Sequence, residues 1–193
     1  MTDYFEQAEI VRSRRRTLAL EIRPDGRLIV RAPTGLPERR IRQFVSERTD
    51  WITAHLQKVA ASVAEAQAAG RFTPEEKAAM KRQAKAVIPE RVRVFAPQVG
   101  VAAGRISIRT QRTRWGSCSR AGNLSFNALL TQTPPEVLDA IVVHELCHIR
   151  HMNHSAEFYR EVRRVMPDYD RRMRWLRQHG AALMRRMEED DLK

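Results

Sequence analysis

The residues with the clearest chemical potential lie between positions 144 and 154. His144 and His148 enclose Glu145 in the pattern His-Glu-x-x-His, and His154 follows six residues later. On an α-helix, two histidines four positions apart lie one turn apart on the same face, where both imidazoles can bind one metal ion. The glutamate beside the first histidine is placed to take a proton from metal-bound water rather than to bind the metal. The pattern therefore predicts half of a zinc site, with Glu145 as a general base.

The third ligand is open from the residues alone. On a straight helix both His151 and His154 would lie too far along the axis to reach the metal, since each residue adds about 1.5 Å of rise. We expect the helix to end near Met152, because Asn153 tolerates the left-handed conformation that terminates helices. His154 is then the favoured third ligand. The alternatives are two carboxylates on the following helix, Glu157 and Glu161.

The residues around the motif predict the helix that carries it. Residues 133–136 read Thr-Pro-Pro-Glu, which is typical of an N-cap threonine, a proline in the first turn and a capping-box glutamate. Apolar residues then recur at helical spacing, namely Val137, Leu138, Ile141, Val142 and Leu146. The motif is therefore expected in the middle of a helix that buries an apolar face.

The pattern of apolar and polar residues in the first 70 positions predicts a β-hairpin followed by a long helix. Two runs of alternating apolar and polar residues flank a Pro-Asp-Gly turn at residues 24–26. From Ile41 the apolar spacing becomes helical, and it continues through an alanine-rich stretch to Gly70. We expect residues 1–70 to form an amino-terminal lobe.

Residues 71–187 predict a second lobe that contains the histidines. A capping box at Thr73 begins another helix, which Pro89 should kink or break. Beyond it, residues 105–109 and 123–126 predict the strands of a small antiparallel sheet. The pattern as a whole indicates an α+β fold. The acidic residues 188–193 are expected to be a solvated tail.

Between the two predicted strands lies a segment rich in special residues. Gly116 and Gly122 permit unusual backbone angles, and Trp115 supplies a large anchor. We interpret the segment as a shaped loop or strand end that faces the metal cleft. A plain β-turn with a buried tryptophan is the alternative.

Charge and composition limit which partners and which cellular compartment are expected. Lys and Arg number 35 against 23 Asp and Glu, a net charge of +12 that favours polyanions such as nucleic acid as partners. A coat of arginines that serves solubility is the alternative. There is no apolar run of bilayer length and no signal-peptide order at the amino terminus, and the cysteines are only two, Cys118 and Cys147. We therefore expect a cytoplasmic protein without membrane contact.

Several of these segments together resemble the YgjP-like family of zinc-dependent hydrolases, which is related to the SprT-like metallopeptidases. The resemblance spans nearly the whole chain and is carried by residues 114–119, Asn127, residues 144–148, residues 153–155, Phe158 and residues 167–169. It implies a zincin-like catalytic core in which His144, His148 and His154 bind zinc. It also implies Glu145 as the catalytic base.

The expected function is therefore that of a zinc-dependent metallopeptidase acting on a peptide or protein substrate. Zinc would activate a water molecule, and Glu145 would accept its proton and pass it to the leaving amine. An extended substrate could add to a sheet edge at residues 105–109 or 123–126. Three candidates for stabilising the oxyanion remain unranked, namely Arg114, Tyr159 and Tyr169.

Two alternatives come from other functional classes. A metal-dependent hydrolase of nucleotide phosphoanhydrides would share the metal chemistry and use the arginines for phosphate, although the chain has no P-loop or acidic metal cluster. A nonenzymatic nucleic-acid-binding module would explain the charge but would leave Glu145 without a role. Salt-sensitive nucleic-acid binding by an inactive, metal-loaded protein would favour this last reading.

Overall fold

The computed structural model describes residues 3–111 and 113–187. The chain divides into two compact units after Glu65. This division falls inside a helix that runs to Ala69, and the predicted lobe boundary at residue 70 stays a prediction. The predicted tail at residues 188–193 lies outside the described residues. No helix within the described ranges combines the length and apolar character that a membrane span needs.

The first unit contains three strands and the start of a helical segment. The elements are β1 (Glu9–Ser13), β2 (Ala19–Ile22), β3 (Leu28–Pro33), α1 (Glu38–Ser46) and α2 (Thr49–Ala69). Strands β2 and β3 form the predicted hairpin, and β1 adds to the other side of β3 in parallel. The predicted long helix is two helices rather than one. The Thr49 hydroxyl donates to the Ser46 carbonyl at 2.9 Å, a local bond at the junction between them.

The helices of the second unit are α3 (Pro74–Val99), α4 (Pro135–His148), α5 (Ala156–Val165) and α6 (Tyr169–Arg186), with a 3₁₀ helix at Ala128–Gln132. Helix α3 begins with the predicted capping box at Thr73. Pro89 lies inside α3 and does not break it. Burial of Ile88 and Val92 in the same core as α4 offsets the backbone hydrogen bond that the proline removes.

The sheet of the second unit is mixed, which corrects the expected antiparallel sheet. Its strands β4 (Ile106–Arg109), β5 (Gly116–Cys118) and β6 (Leu124–Asn127) lie in the order β4-β6-β5. Only β5 and β6 are antiparallel, whereas β4 is parallel to β6 because the chain reverses direction twice between them. Strand β6 is therefore central and offers no free edge. Helices and two small mixed sheets confirm the predicted α+β class.

Helix α4 is the element around which the second unit is built. Ten of its 14 residues are buried, so apolar contacts on nearly every side fix its position. It contacts α3, α5, α6 and β5. The predicted N-cap is wrong, because Pro134 precedes the helix and the Thr133 hydroxyl donates instead to the Leu130 carbonyl at 2.8 Å.

Candidate metal centre

The end of helix α4 decides which histidines meet. The helix ends at His148, four residues before the predicted end at Met152. After a short turn, the Ser155 hydroxyl accepts a hydrogen bond from the Phe158 amide and caps α5. His154 lies in the turn directly before this cap, so the chain reversal carries its side chain back toward α4.

Three histidine side chains converge on one point. The Nε2 atoms of His148 and His154 each lie 3.1 Å from Nε2 of His144. All three ligand atoms lie within 4.8 Å of one another. Nitrogens that share a tetrahedral zinc ion lie about 3.3 Å apart, given Zn–N bonds of about 2.0–2.1 Å. The spacing therefore suits a single metal ion.

Hydrogen bonds at the opposite ring nitrogens set the orientation of two of the rings. The Nδ1–H of His148 donates to the carbonyl oxygen of His151 at 2.9 Å. Nδ1 of His144 lies 2.7 Å from the hydroxyl of Tyr169, at the start of α6. Such partners fix the tautomer of a metal-binding histidine and turn its other nitrogen toward the metal. His151 thus contributes through its backbone, and its side chain is not part of the cluster.

The floor of the cluster is the fully buried ring of Phe158 on α5. Its centroid lies 4.5 Å from that of His148, in a stacked arrangement, and 4.9 and 5.0 Å from those of His144 and His154. An apolar floor limits access of water to the nitrogens and strengthens electrostatic interactions at the site.

The surroundings of His144 and His148 favour the neutral form of both imidazoles. Burial, together with the neighbouring His148 and His154 rings, lowers the pKa of His144 to about 3. Burial also lowers the pKa of His148. Neutral imidazoles present lone pairs, and lone pairs 3.1 Å apart repel one another unless a cation or a shared proton lies between them. The donor set therefore fits a metal ion.

Glu145 is a buried acidic residue of helix α4. Its Oε2 atom is buried and makes no hydrogen bond within the described part of the chain. Burial raises the pKa of Glu145 to about 8, because the ionised form loses hydration. Such a group is suited to accepting and returning a proton near neutral pH.

Strand β5 approaches this carboxyl group closely at Gly116. A Cβ atom at Gly116 would lie 2.6 Å from Oε1 of Glu145, a distance that real Cβ atoms do not adopt. Gly116 does not have a positive φ, so the predicted reason for this glycine is wrong. The absence of a side chain, rather than backbone freedom, is what the position requires. Gly122 does adopt a positive φ of 73°.

The segment before β5 is a shaped strand end. The side-chain amide of Asn127 donates to the carbonyls of Gln111 and Arg114 at 2.7 and 2.9 Å, and its Oδ1 accepts from the Leu129 amide. Trp115 packs against Gly180 of α6, where a Cβ would lie 3.1 Å from the indole. These contacts fix the position at which β5 meets Glu145.

The alternative third ligands do not join the cluster. Glu161 forms ion pairs with Arg164 at 2.8 Å and with Arg150 at 3.5 Å, and Glu157 is exposed on α5. Among the described residues, the only group suited to a metal ion is that of the three histidines.

The three candidate oxyanion donors occupy different places. Tyr169 is engaged with His144, a role that the sequence reasoning missed. Tyr159 is half-buried, with its ring centroid 6.1 Å from that of His154, and Arg114 is exposed at the strand end. The sequence indicated Tyr169 only as a candidate oxyanion donor and as part of the family resemblance, not as a partner of His144.

Comparison with known proteins identifies the family. The family model described as the YgjP-like metallopeptidase domain matches residues 16–79 and 74–179 of the sequence. This match covers most of the chain, and the protein belongs to the YgjP-like metallopeptidase family. The family confirms the predicted resemblance and the predicted class, a hydrolase of the metallopeptidase type, for which the histidine cluster indicates a metal ion.

Two solved structures are similar to part of the chain. The metallopeptidase zymogen abylysin of Pyrococcus abyssi is 22% identical, with a TM-score of 0.42, over 48% of this chain and 98% of its own. The metallopeptidase zymogen jannalysin of Methanocaldococcus jannaschii is 23% identical, with a TM-score of 0.41, over 46% of this chain and 92% of its own. No curated protein sequence matches the chain.

We predict that Gly116→Ala will disturb the site, because the added methyl group must displace the Glu145 side chain or β5. Overpacking of this kind costs about 1–3 kcal/mol of stability. Thermal unfolding and peptide turnover measure the effect. Gly35→Ala is the control, since nothing lies within 4 Å of a Cβ there. Equal behaviour of the two variants would contradict the close approach.

We predict that Tyr169→Phe will lower metal affinity about 10–100-fold, as loss of a hydrogen-bond partner of a metal-binding histidine typically does. The ring remains, so packing of the buried Tyr169 is retained. Competition with a chelator measures the affinity. Tyr159→Phe is the control, because no hydrogen bond joins the Tyr159 hydroxyl to the histidines. Unchanged affinity in Tyr169→Phe would remove Tyr169 from the site.

Proposed function

We propose that this protein is a zinc-dependent peptidase in which His144, His148 and His154 bind the metal and Glu145 is the general base. The observation that carries the proposal is the meeting of three Nε2 atoms beside helix α4, which supplies two of the histidines and also Glu145, whose buried Oε2 atom makes no hydrogen bond within the described residues. Three neutral imidazoles are a common protein ligand set for catalytic zinc, because they leave one coordination position open.

The residues of the chain divide the remaining tasks. When bound, zinc supplies a Lewis acid for the scissile carbonyl and lowers the pKa of a water molecule. Glu145 accepts the proton of the attacking water and later delivers it to the leaving amine. Tyr169 keeps His144 in the orientation that binds metal, and Phe158 shields the ligands from bulk water.

The substrate class follows from the family, whose members carry a metallopeptidase domain. We propose a protein or peptide as the substrate. An extended segment of the substrate can add to an edge strand, and the edge strands of the sheet in the second unit are β4 and β5. The relation to SprT-like metallopeptidases and the cytoplasmic location stay predictions.

The third ligand is tested by comparing two histidines of the same turn. His154→Ala should lose most zinc, because two remaining ligands hold the ion poorly. His151→Ala should keep it, since only the His151 backbone carbonyl contacts the site. Metal content per chain after dialysis is the measurement. Retention of zinc by His154→Ala, with loss by His151→Ala, would reverse the assignment.

The role of Glu145 is tested by Glu145→Gln, which keeps the side chain's size and all three histidines. Peptide turnover should fall by about 10²–10⁴-fold, because an amide cannot act as the general base. Zinc content and the melting temperature should change little. A fully metal-loaded variant with wild-type turnover would show that Glu145 is not the base.

A further inference from the structure

The sheet of the second unit has a polar side that the catalytic centre does not use. Ser107 of β4, Ser125 of β6 and Ser117 of β5 are paired in one row across the three strands. Successive side chains of a strand point to opposite faces, so this row lies opposite the buried Leu124 and Phe126. We call the side with the three serines the serine face.

Arginines border the serine face. It holds an open depression of about 410 Å³ that is lined by the three serines together with Arg105, Arg109 and Arg114, among other residues. All three arginine side chains are exposed. Within the described residues, none of the three guanidinium groups forms an ion pair, in contrast to Arg91, which binds Asp139 at 2.6 Å. The serine face therefore carries uncompensated positive charge.

A serine hydroxyl in the middle of this row lacks a partner. The Oγ atom of Ser125 is buried and makes no hydrogen bond within the described residues. A buried hydroxyl is normally paired, and an unpaired one indicates a ligand or an ordered water.

The lining favours a carboxylate-bearing chain over single-stranded nucleic acid. Proteins that bind single strands stack the bases on aromatic side chains. Among the described residues, no aromatic side chain lines the depression. Guanidinium groups and hydroxyls without a stacking platform instead suit the carboxylates of Asp and Glu.

The serine face adjoins the proposed active site through one short strand. Gly116, which contacts Glu145, is the direct neighbour of Ser117 in β5. Because β5 is an edge strand, a polypeptide that added to it would turn alternate side chains toward the serine face and toward the side on which Glu145 lies. We infer that the serine face binds an acidic segment of the protein substrate, an inference that rests on the proposed peptidase function.

The test measures binding without turnover. A fluorescein-labelled peptide of alternating Glu and Gly is titrated against full-length protein that carries Glu145→Gln, with fluorescence anisotropy as the readout. Adding Arg105→Ala and Arg109→Ala should weaken binding by about fivefold, since each exposed ion pair contributes little on its own. Higher salt should weaken binding as well.

Two controls separate this face from general charge. The double change Arg82→Ala and Lys85→Ala removes the same two positive charges from the exposed side of α3, away from the depression, and should change the affinity less than about twofold. A peptide of alternating Gln and Gly should bind far more weakly than the Glu peptide.

Equal affinities of the Arg105→Ala/Arg109→Ala variant and the Arg82→Ala/Lys85→Ala variant would overturn the inference. It would also be overturned if oligothymidine of the same net charge bound more tightly and lost that binding in the Arg105→Ala/Arg109→Ala variant. Because every protein in this test carries Glu145→Gln, loss of binding reports on the serine face. Failure of the peptidase proposal would appear separately, as absent zinc or absent wild-type turnover.

Discussion

The constraint on which the site depends is the approach of the Nε2 atoms of His148 and His154 to 3.1 Å from Nε2 of His144. Burial keeps the charged form of His144 unfavourable, so the ring stays neutral and can turn a lone pair toward its neighbours. Lone pairs this close repel one another unless a cation or a shared proton lies between the nitrogens, and a metal ion bound by all three would remove the repulsion. Folding of the second unit holds this arrangement in place, because the largely buried α4 and the buried Phe158 leave the rings few other positions.

A second constraint is the distance between strand β5 and helix α4. Gly116 has no Cβ, and this allows the backbone of β5 to lie against the Glu145 side chain. Asn127 fixes the preceding segment by binding two of its carbonyls. The approach of β5 removes Glu145 from water, and its pKa rises because the buried anion is poorly solvated. The burial of Glu145 thus depends on Gly116 and Asn127, which lie on other elements.

Two adjacent residues of strand β5 face chemically different surroundings. Its Gly116 contacts the proposed general base, while Ser117 belongs to the row of serines bordered by exposed arginines. The net charge of +12 alone does not distinguish a solubility coat from a binding surface. The inferred binding surface depends on the position of the charge, because three guanidinium groups that form no ion pair among the described residues lie beside a polar depression.

The sequence alone determined the features that depend on local periodicity. Apolar spacing and the four-residue interval place His144 and His148 on one face of a helix, and alternation around a turn predicts the first hairpin. Tertiary structure decided the rest. Helix α4 ends earlier than expected, Tyr169 binds a ring 25 residues before it, and Gly116 makes room for a carboxyl group on another element. These contacts join residues far apart in the chain, and their formation depends on how helices and strands pack, which local residue preferences do not specify.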